Sequence, residues 1–488
     1  MLRLAPDDNV TQPGNLLTAS NLVPTVRGTY RSAYASSDTA YAALAGVCVG
    51  AAYIKKPDGT ARLFAGTASR VYEANQATGN SWTDRSSATY TGLSTVGWMF
   101  GQFGENTIKV NKTQTTEVST TAAFSTLSGT PPKAQIVLTQ ANAVWLFNIN
   151  DGTDKPDAYR ISDQGVHTTW TPAATNEAFE GRLYDTAGPI TAAIPFQNGV
   201  LAFKAKGMWF IEYVGRPDIY IARMISPEHG CVGPRALTLA EGAVYFYSDR
   251  GVYVYDGSYP RLISQEVTSL VFAGGAFGPN LLSSIIAVHD EANSIVKFYR
   301  FLSGSVYSGW LSYNYKASAW GVNDSVDAAT AIEMAFQTTV SDMYSFTGIS
   351  GAVPAAATKW TSDFAFDQDH ILVNFNNATP SAASQVRTWM SGRQDVVSQV
   401  TKAYVVFNDP PASAGVSGSV TGYRNAQASG SQISSVTFSG LDADDAISVN
   451  ASGRWNQMIM TIDSTGGYYE ISDIYFNPPP AGKFAGKS

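Results

Sequence analysis

Short apolar runs, each broken by a turn that holds glycine, recur along the first three quarters of this chain. Asn198-Gly199 opens Val200-Leu201-Ala202-Phe203, and a turn through Lys204–Lys206 leads to Gly207 and Met208-Trp209-Phe210-Ile211. Glu241-Gly242 opens Ala243-Val244-Tyr245-Phe246, and a turn through Ser248-Asp249-Arg250 leads to Gly251 and Val252-Tyr253-Val254-Tyr255. Runs this short, bounded by turn residues, predict strands paired as hairpins. Gly199 and Gly242 stand 43 residues apart, within the roughly 40–45-residue period of a four-stranded propeller blade. One such unit cannot bury its apolar face alone; a stacked ring of them can.

The pattern extends both ways. Strand pairs are expected at Arg62–Gly66 with Arg70–Glu73, at Gly97–Phe100 with Thr107–Val110, at Ala143–Phe147, at Ser294–Phe301 and at Trp310–Tyr313. Several units end in a small residue before tryptophan, at Ser81-Trp82, Thr169-Trp170 and Ala319-Trp320, with Trp360-Thr361 a looser echo. A tryptophan at a fixed blade position predicts a wedge between adjacent sheets, burying about 200 Å2. Trp82, Trp170, Trp209 and Trp320 are the wedge candidates. Residues 41–365 hold about seven such periods, but long loops at Asn150–Asp157 and Ser264–Pro279 lengthen some units. Six blades are therefore favoured, with seven possible. Ring closure is expected to combine strands from both ends of the propeller, because an open edge invites aggregation.

Outside that region the character changes. Residues 1–40 are broken by Pro6, Pro13-Gly14, Pro24 and Gly28, which predicts an extended strap. Residues 366–477 alternate strand-like runs with Gly/Ser/Ala turns and predict a small β-sandwich. A flexible tail is expected at residues 478–488.

Composition supports an all-β reading. Of 488 residues, 44% are hydrophobic and only 15% charged, with 25 Tyr, 23 Phe and 10 Trp; aromatic and β-branched residues favour a pleated, half-buried surface. Low charge density fits surface buried against other copies, and equally a large β-protein that simply needs fewer charges. A net charge of −7 argues against an electrostatic grip on nucleic acid, though not against a surface that nucleic acid slides past. Cys48 and Cys231 stand 183 residues apart, too far for a metal motif or a disulfide framework. Buried free thiols and folding in a reducing cytoplasm are expected. The stretch Met1–Asp8 has no signal-peptide core, and Tyr41–Ile54, the longest apolar stretch, is too short to span a membrane.

Candidate chemistry is sparse. His167, His229, His289 and His370 have no metal-ligand spacing, and no nucleophile elbow, P-loop or His-Glu-x-x-His occurs. The acidic stretches Asp151-Gly152-Thr153-Asp154 with Asp157, and Asp442-Ala443-Asp444-Asp445, lack a full oxygen-ligand series and read as turns. Sialidase-like propellers carry Ser-x-Asp-x-Gly-x-Thr-Trp turns. Here Asn75–Trp82 has Ala77 where the Asp should be, and Ser162-Asp163-Gln164-Gly165 is followed too late by Trp170. Glycosidase chemistry also needs two carboxylates across a cleft. No catalytic residue, metal or cofactor is expected.

The stretch Gly230-Cys231-Val232-Gly233-Pro234-Arg235-Ala236-Leu237, followed by Gly242–Gly257, resembles the virion propeller proteins of short-tailed bacteriophages, in which such a hairpin recurs. The opening Pro6-Asp7…Pro13-Gly14…Asn21…Pro24…Gly28, the unit Ala65–Thr67…Val71-Tyr72…Trp82-Thr83, and Trp98–Phe103 leading to Pro131–Ala134 look similar. The likeness covers most of residues 1–365. It implies a tail nozzle (hub): a hexamer below the portal and adaptor, with the strap and the C-terminal sandwich as its platform, fibres docked to its side and double-stranded DNA passing without sequence-specific contact. Assembly in the host cytoplasm and residence in the virion tail follow. A receptor- or glycan-binding adhesin is the alternative, and a propeller glycoside hydrolase the second.

Overall fold

The structure is a computed structural model that describes residues 2–39, 41–75, 80–271, 285–302, 306–323, 332–337, 363–380, 383–392, 397–409, 411, 415–426, 432–441, 446–463 and 468–476. It is an all-β protein built around a β-propeller. Each blade is an antiparallel meander whose first strand lies innermost. The first blade comprises Gly50–Lys55, Ala61–Gly66, Val71–Asn75 and Ser81–Asp84, and the second Met99–Phe103, Asn106–Val110, Glu117–Ser119 and Ser125–Thr126. The third comprises Lys133–Gln140, Ala143–Asn150, Asp154–Ile161 and Phe179–Arg182. The fourth comprises Ile190–Phe196, Gly199–Lys204, Met208–Gly215 and Ile219–Ser226, and the fifth Leu237–Ala240, Ala243–Ser248, Gly251–Tyr255 and Arg261–Leu262. Ile286–Asp290, Ile295–Leu302, Val306–Asn314 and Ala319–Asn323 form the sixth.

The seventh blade closes the ring. Ile332–Gln337, Asp363–Asp367 and Leu372–Pro380 pair in order, and Tyr34–Asp38 from the other end of the chain adds the outermost strand. Ile332–Gln337 packs beside Gly50–Lys55, so seven innermost strands form an unbroken circle. The favoured count of six blades is thus corrected to seven. The domain boundaries shift too: the propeller runs to Pro380 rather than residue 365, and Tyr34–Asp38 belongs to it rather than to the platform. One cause explains these differences. The closing blade has no contiguous 43-residue unit, so a search for that period passes over it.

The turns follow the local chemistry. Gly207 and Gly251 occupy the same place in consecutive blades and share φ = +128°, a region that L-residues rarely adopt. Five apolar clusters fill the seams between blades. One joins the first and second, one the second and third, one the third and fourth, and one runs from the sixth through the seventh to the first. The largest runs from the fourth blade through the sixth and on into the platform.

The strap and the C-terminal segment fold together. One sheet orders Gln432–Ser439, Val416–Tyr423, Trp455–Ile462, Ser384–Arg387 and the strap strand Thr18–Ser20. The facing sheet orders Ala446–Gly453, Ser398–Asp409, Glu470–Phe476 and the strap strands Tyr30–Ser32 and Leu22–Pro24. Val400, Ala403 and Val405 are buried while Gln399, Thr401 and Val406 are exposed, and a register shift between Val400 and Lys402 resets the alternation. Thr18–Ser20 also pairs in parallel with Ala319–Asn323 at Ser20 and Val322. The sixth blade therefore continues without a break into the platform. The expected tail at residues 478–488, like Trp360 and Thr361, lies outside the described residues.

Tyr30 pins this junction. Fully buried, its hydroxyl accepts the Leu4 N–H at 2.7 Å and donates to the Trp320 carbonyl at 2.7 Å. Tyr30→Phe leaves both backbone groups buried and unpaired, at a cost of about 1–3 kcal/mol. A lower urea midpoint with an unchanged slope is the expected result; an unchanged midpoint would show that the bridge is dispensable.

Candidate functional site

Tryptophans mark the seams. Trp82 is half-buried between the first and seventh blades, 5.3 Å from the Tyr41 ring and 5.6 Å from Phe366, and donates to the Ala42 carbonyl. Trp170 is buried among Ile108 and Val110 of the second blade and Val144 and Leu146 of the third, and Trp209 lies between the third and fourth. Trp320 is buried between the fifth and sixth blades, its ring 4.7 Å from Tyr313 and its Nε1 donating to the Ile263 carbonyl at 2.9 Å. Trp98, Trp145 and Trp310 sit at comparable seams and were missed by the small-residue–Trp pattern. A different signal would have found two of them: Gly97-Trp98 and Gly309-Trp310 are Gly-Trp pairs whose glycines have positive φ.

The mouth of the channel, where the innermost strands begin, is crossed by Gly230–Leu237. Cys231 N–H donates to the Lys204 carbonyl, the Thr191 hydroxyl donates to the Cys231 carbonyl at 2.6 Å, and Ala287 N–H donates to the Arg235 carbonyl at 2.7 Å. Gly230 leaves no room for a side chain, because a Cβ there would collide with the backbone of Lys204 and Ala205. From the fifth blade the Arg235 guanidinium reaches the opposite side of the ring. It donates to the Val96 carbonyl at 2.6 Å, to the Trp98 carbonyl and, at 3.5 Å, to the Val49 carbonyl. Three carbonyls just ahead of the first and second blades thus converge on one cation.

Cys48, Glu333 and His370 gather beside this mouth. Glu333 accepts the Cys48 backbone N–H at 3.0 Å and lies 2.9 Å from His370 Nδ1. Burial raises its carboxyl above the ordinary range. The Cys48 thiol donates to the Gly50 carbonyl, and burial pushes it up to about 12. Cys231 donates to the Gly233 carbonyl and is likewise pushed up to about 12. Neither thiol is a nucleophile at neutral pH. The trio ties the seventh blade to the first.

Buried cations occupy other seams. Lys109 is fully buried, 2.8 Å from Glu117, with its ammonium 4.0 Å from the Trp98 ring centre and 4.1 Å from that of Tyr90. Desolvation outweighs the Glu117 charge and lowers Lys109 to about 8. Arg62 of the first blade pairs with Glu73 at 2.6 Å and donates to the Ser119 and Thr120 carbonyls of the second.

The first acidic stretch is structural. Asp151 pairs with Lys155, Asp154 with Lys112 across a seam, and Asp157 with Arg182. Asp163 accepts the Gln164 and Glu177 amides, which holds the loop ahead of Trp170. Asp442, Asp444, Asp445 and Ala77 lie outside the described residues. His167 lies against Phe103, His229 against Tyr253, and His289 bonds Tyr315, each in a different place. Among the described residues, no three His, Cys, Asp or Glu are grouped to hold a metal.

No family model and no curated protein matches this chain. Among solved structures it is similar to YCF48 from Cyanidioschyzon merolae, at 11% identity over 70% of this chain and 98% of that one, with a TM-score of 0.39. A structure of YCF48 bound to D1 peptide is similar at 10% identity over 70% and 94%, with a TM-score of 0.38. The extracellular domain of the putative hybrid two-component system BT4673 from B. thetaiotaomicron is similar at 10% identity over 63% of this chain and 45% of that one, with a TM-score of 0.36. Nothing about activity or partners transfers at this distance.

Arg235→Met removes the donor to the Val96 and Trp98 carbonyls, the Val49 carbonyl still accepting the Trp98 N–H, and should lower stability by roughly 1–3 kcal/mol in urea titration; no loss would mean that water serves them equally well. Lys109 yields a pH test. Its folded pKa lies near 8 against an ordinary 10.5, so in that window the unfolded chain holds the proton and the folded chain does not. Its contribution to stability therefore rises with pH between those values and is level below them. The stability difference between wild type and Lys109→Met should follow that curve; a flat difference would mean that Lys109 stays charged in the fold.

Proposed function

We propose that this chain is a structural subunit of a bacteriophage tail nozzle, acting by assembly and gating rather than by bond chemistry. Six copies would form a ring below the portal and adaptor, retain and release the genome, and carry fibres on their flank. The observation that carries this reading is the continuous sheet running from the sixth blade through strap strand Thr18–Ser20 into the platform. Such a joint holds a propeller at a fixed angle to a platform, as a load-bearing ring requires. A further feature supports it. The Gly230–Gly257 segment that carries the resemblance forms the channel mouth and the fifth-blade hairpin.

Negative-stain imaging of the purified chain with its cognate tail tests the proposal. A six-fold ring beneath the portal is expected. Peripheral whiskers, with glycan-array binding by a monomer, would replace the nozzle with an adhesin. Turnover of aryl glycosides, abolished by a single carboxylate substitution, would replace it with a hydrolase.

A further inference from the structure

The platform strand Gln432–Ser439 is the outer edge of its sheet, and among the described residues it pairs with Val416–Tyr423 alone. Gly440 N–H donates to the Val416 carbonyl at 2.6 Å, which fixes the phase of that antiparallel ladder. Gly418 with Phe438, Val420 with Val436, and Gly422 with Ser434 are then the bonded pairs. Ser435, Thr437 and Ser439 turn their backbone N–H and C=O groups the other way, to the open side, and all three are exposed. The one register shift lies between Ser434 and Gln432, outside this stretch.

The outer strands of the blades are guarded against sheet extension. A charge sits on the first at Asp84, the third at Glu180, the fourth at Arg223, the fifth at Arg261 and the seventh at Asp38. Thr18–Ser20 covers the sixth, and the second is only Ser125–Thr126. Ala446–Gly453, an edge of the facing platform sheet, is uncharged but is held by Ser434. The Ser434 Oγ accepts the Ser452 N–H at 3.0 Å and donates to the Ser452 carbonyl at 2.7 Å. Gln432–Ser439 has eight residues with no charge, no proline and no glycine. It is an edge without a guard.

We propose that Gln432–Ser439 is a self-pairing edge, joining the same strand of a second copy antiparallel across a two-fold axis at Thr437. In that register Thr437 faces its own counterpart and Ser435 faces the partner's Ser439, so all three open residues bond at once. Val436 faces the partner's Phe438 on the side that packs against the platform core. Thr–Thr and aromatic–β-branched pairs are among the stabilising cross-strand combinations. A second copy is the occupant because this one strand supplies both halves of every pair and carries no charge to meet itself across the axis. Such an isologous contact cannot repeat around a six-fold ring, so it is distinct from the ring contact and stands without the nozzle reading. Eight residues a side make a small interface, with an affinity in the range of about 1–100 µM.

Sedimentation velocity of the full-length chain across that range should show a monomer giving way to a dimer. Thr437→Pro removes the central N–H donor without touching the bonded ladder, and should weaken the dimer at least tenfold while the melting curve stays unchanged. Thr437→Cys should give a disulfide-linked dimer on mild oxidation, because facing residues of a bonded pair have Cα atoms about 5.5 Å apart. Ser435→Cys should not, since its two copies lie about 14 Å apart along the strands. A monomer at every concentration, a dimer indifferent to Thr437→Pro, or equal cross-linking by both cysteine variants would each overturn the proposal. A two-fold dimer with no six-fold ring in images would sink the nozzle alone; a ring built from a chain that stays monomeric in isolation would sink the pairing alone.

Discussion

A three-residue strand holds this molecule together. Thr18–Ser20 lies between the outer strand of the sixth blade and Ser384–Arg387 of the platform, pairing with both. Without it each sheet would end in a bare row of N–H and C=O groups, an edge open to other chains. The neighbouring bonds share its burden: Asn21 N–H donates to the Val322 carbonyl at 2.7 Å, and the Asn21 side chain donates to the Ala383 carbonyl. Tyr30 then locks Leu4 to Trp320. Contacts between residues some 300 positions apart close a very large loop, which makes folding slow and sensitive to the order of events.

Much of the propeller was legible because each blade obeys local rules. Gly207 and Gly251 announce their turns, and the short apolar runs Met208–Ile211 and Val252–Tyr255 predict strands with no reference to the rest of the chain. The seventh blade was not legible. Tyr34–Asp38 meets Leu372–Pro380 only in three dimensions, and its pairing is irregular at Asn374, Asn377 and Pro380. The same limit hid Arg235. A lone arginine within a Gly-Pro turn carries no local signal; its meaning lies in carbonyls about 140 and 185 residues earlier in the chain.

The seams also explain why so few charges suffice. Lys109, Arg62 and Lys204 are buried and act as fixed donors or ring-facing cations, so they consume the polar groups that a blade interface cannot avoid enclosing. A buried pair of this kind adds little net stability over an apolar pair but penalises any wrong packing heavily. Lys109 fits only where Glu117, Tyr90 and Trp98 converge, a combination contributed by one particular seam. Registration between blades thus comes from charge while cohesion comes from tryptophan and aliphatic packing.

Charge also has a direction along the propeller axis. The innermost strands carry two carboxylates, Asp290 and Glu333; the first is buried 3.6 Å from Lys297 and the second is tied to Cys48 and His370. The Arg235 cation crosses one mouth. Asp58, Glu241 and Glu291 are instead exposed, and Glu105 half-buried, on turns that join first to second strands at the other end of the ring, where Asp58 and Glu105 pair with Lys56 and Glu241 pairs with Lys316. DNA entering the propeller hole would meet a cation and no repelling wall, an arrangement that retards phosphate rather than releasing it. On the proposed reading the genome therefore passes between copies and not through any propeller.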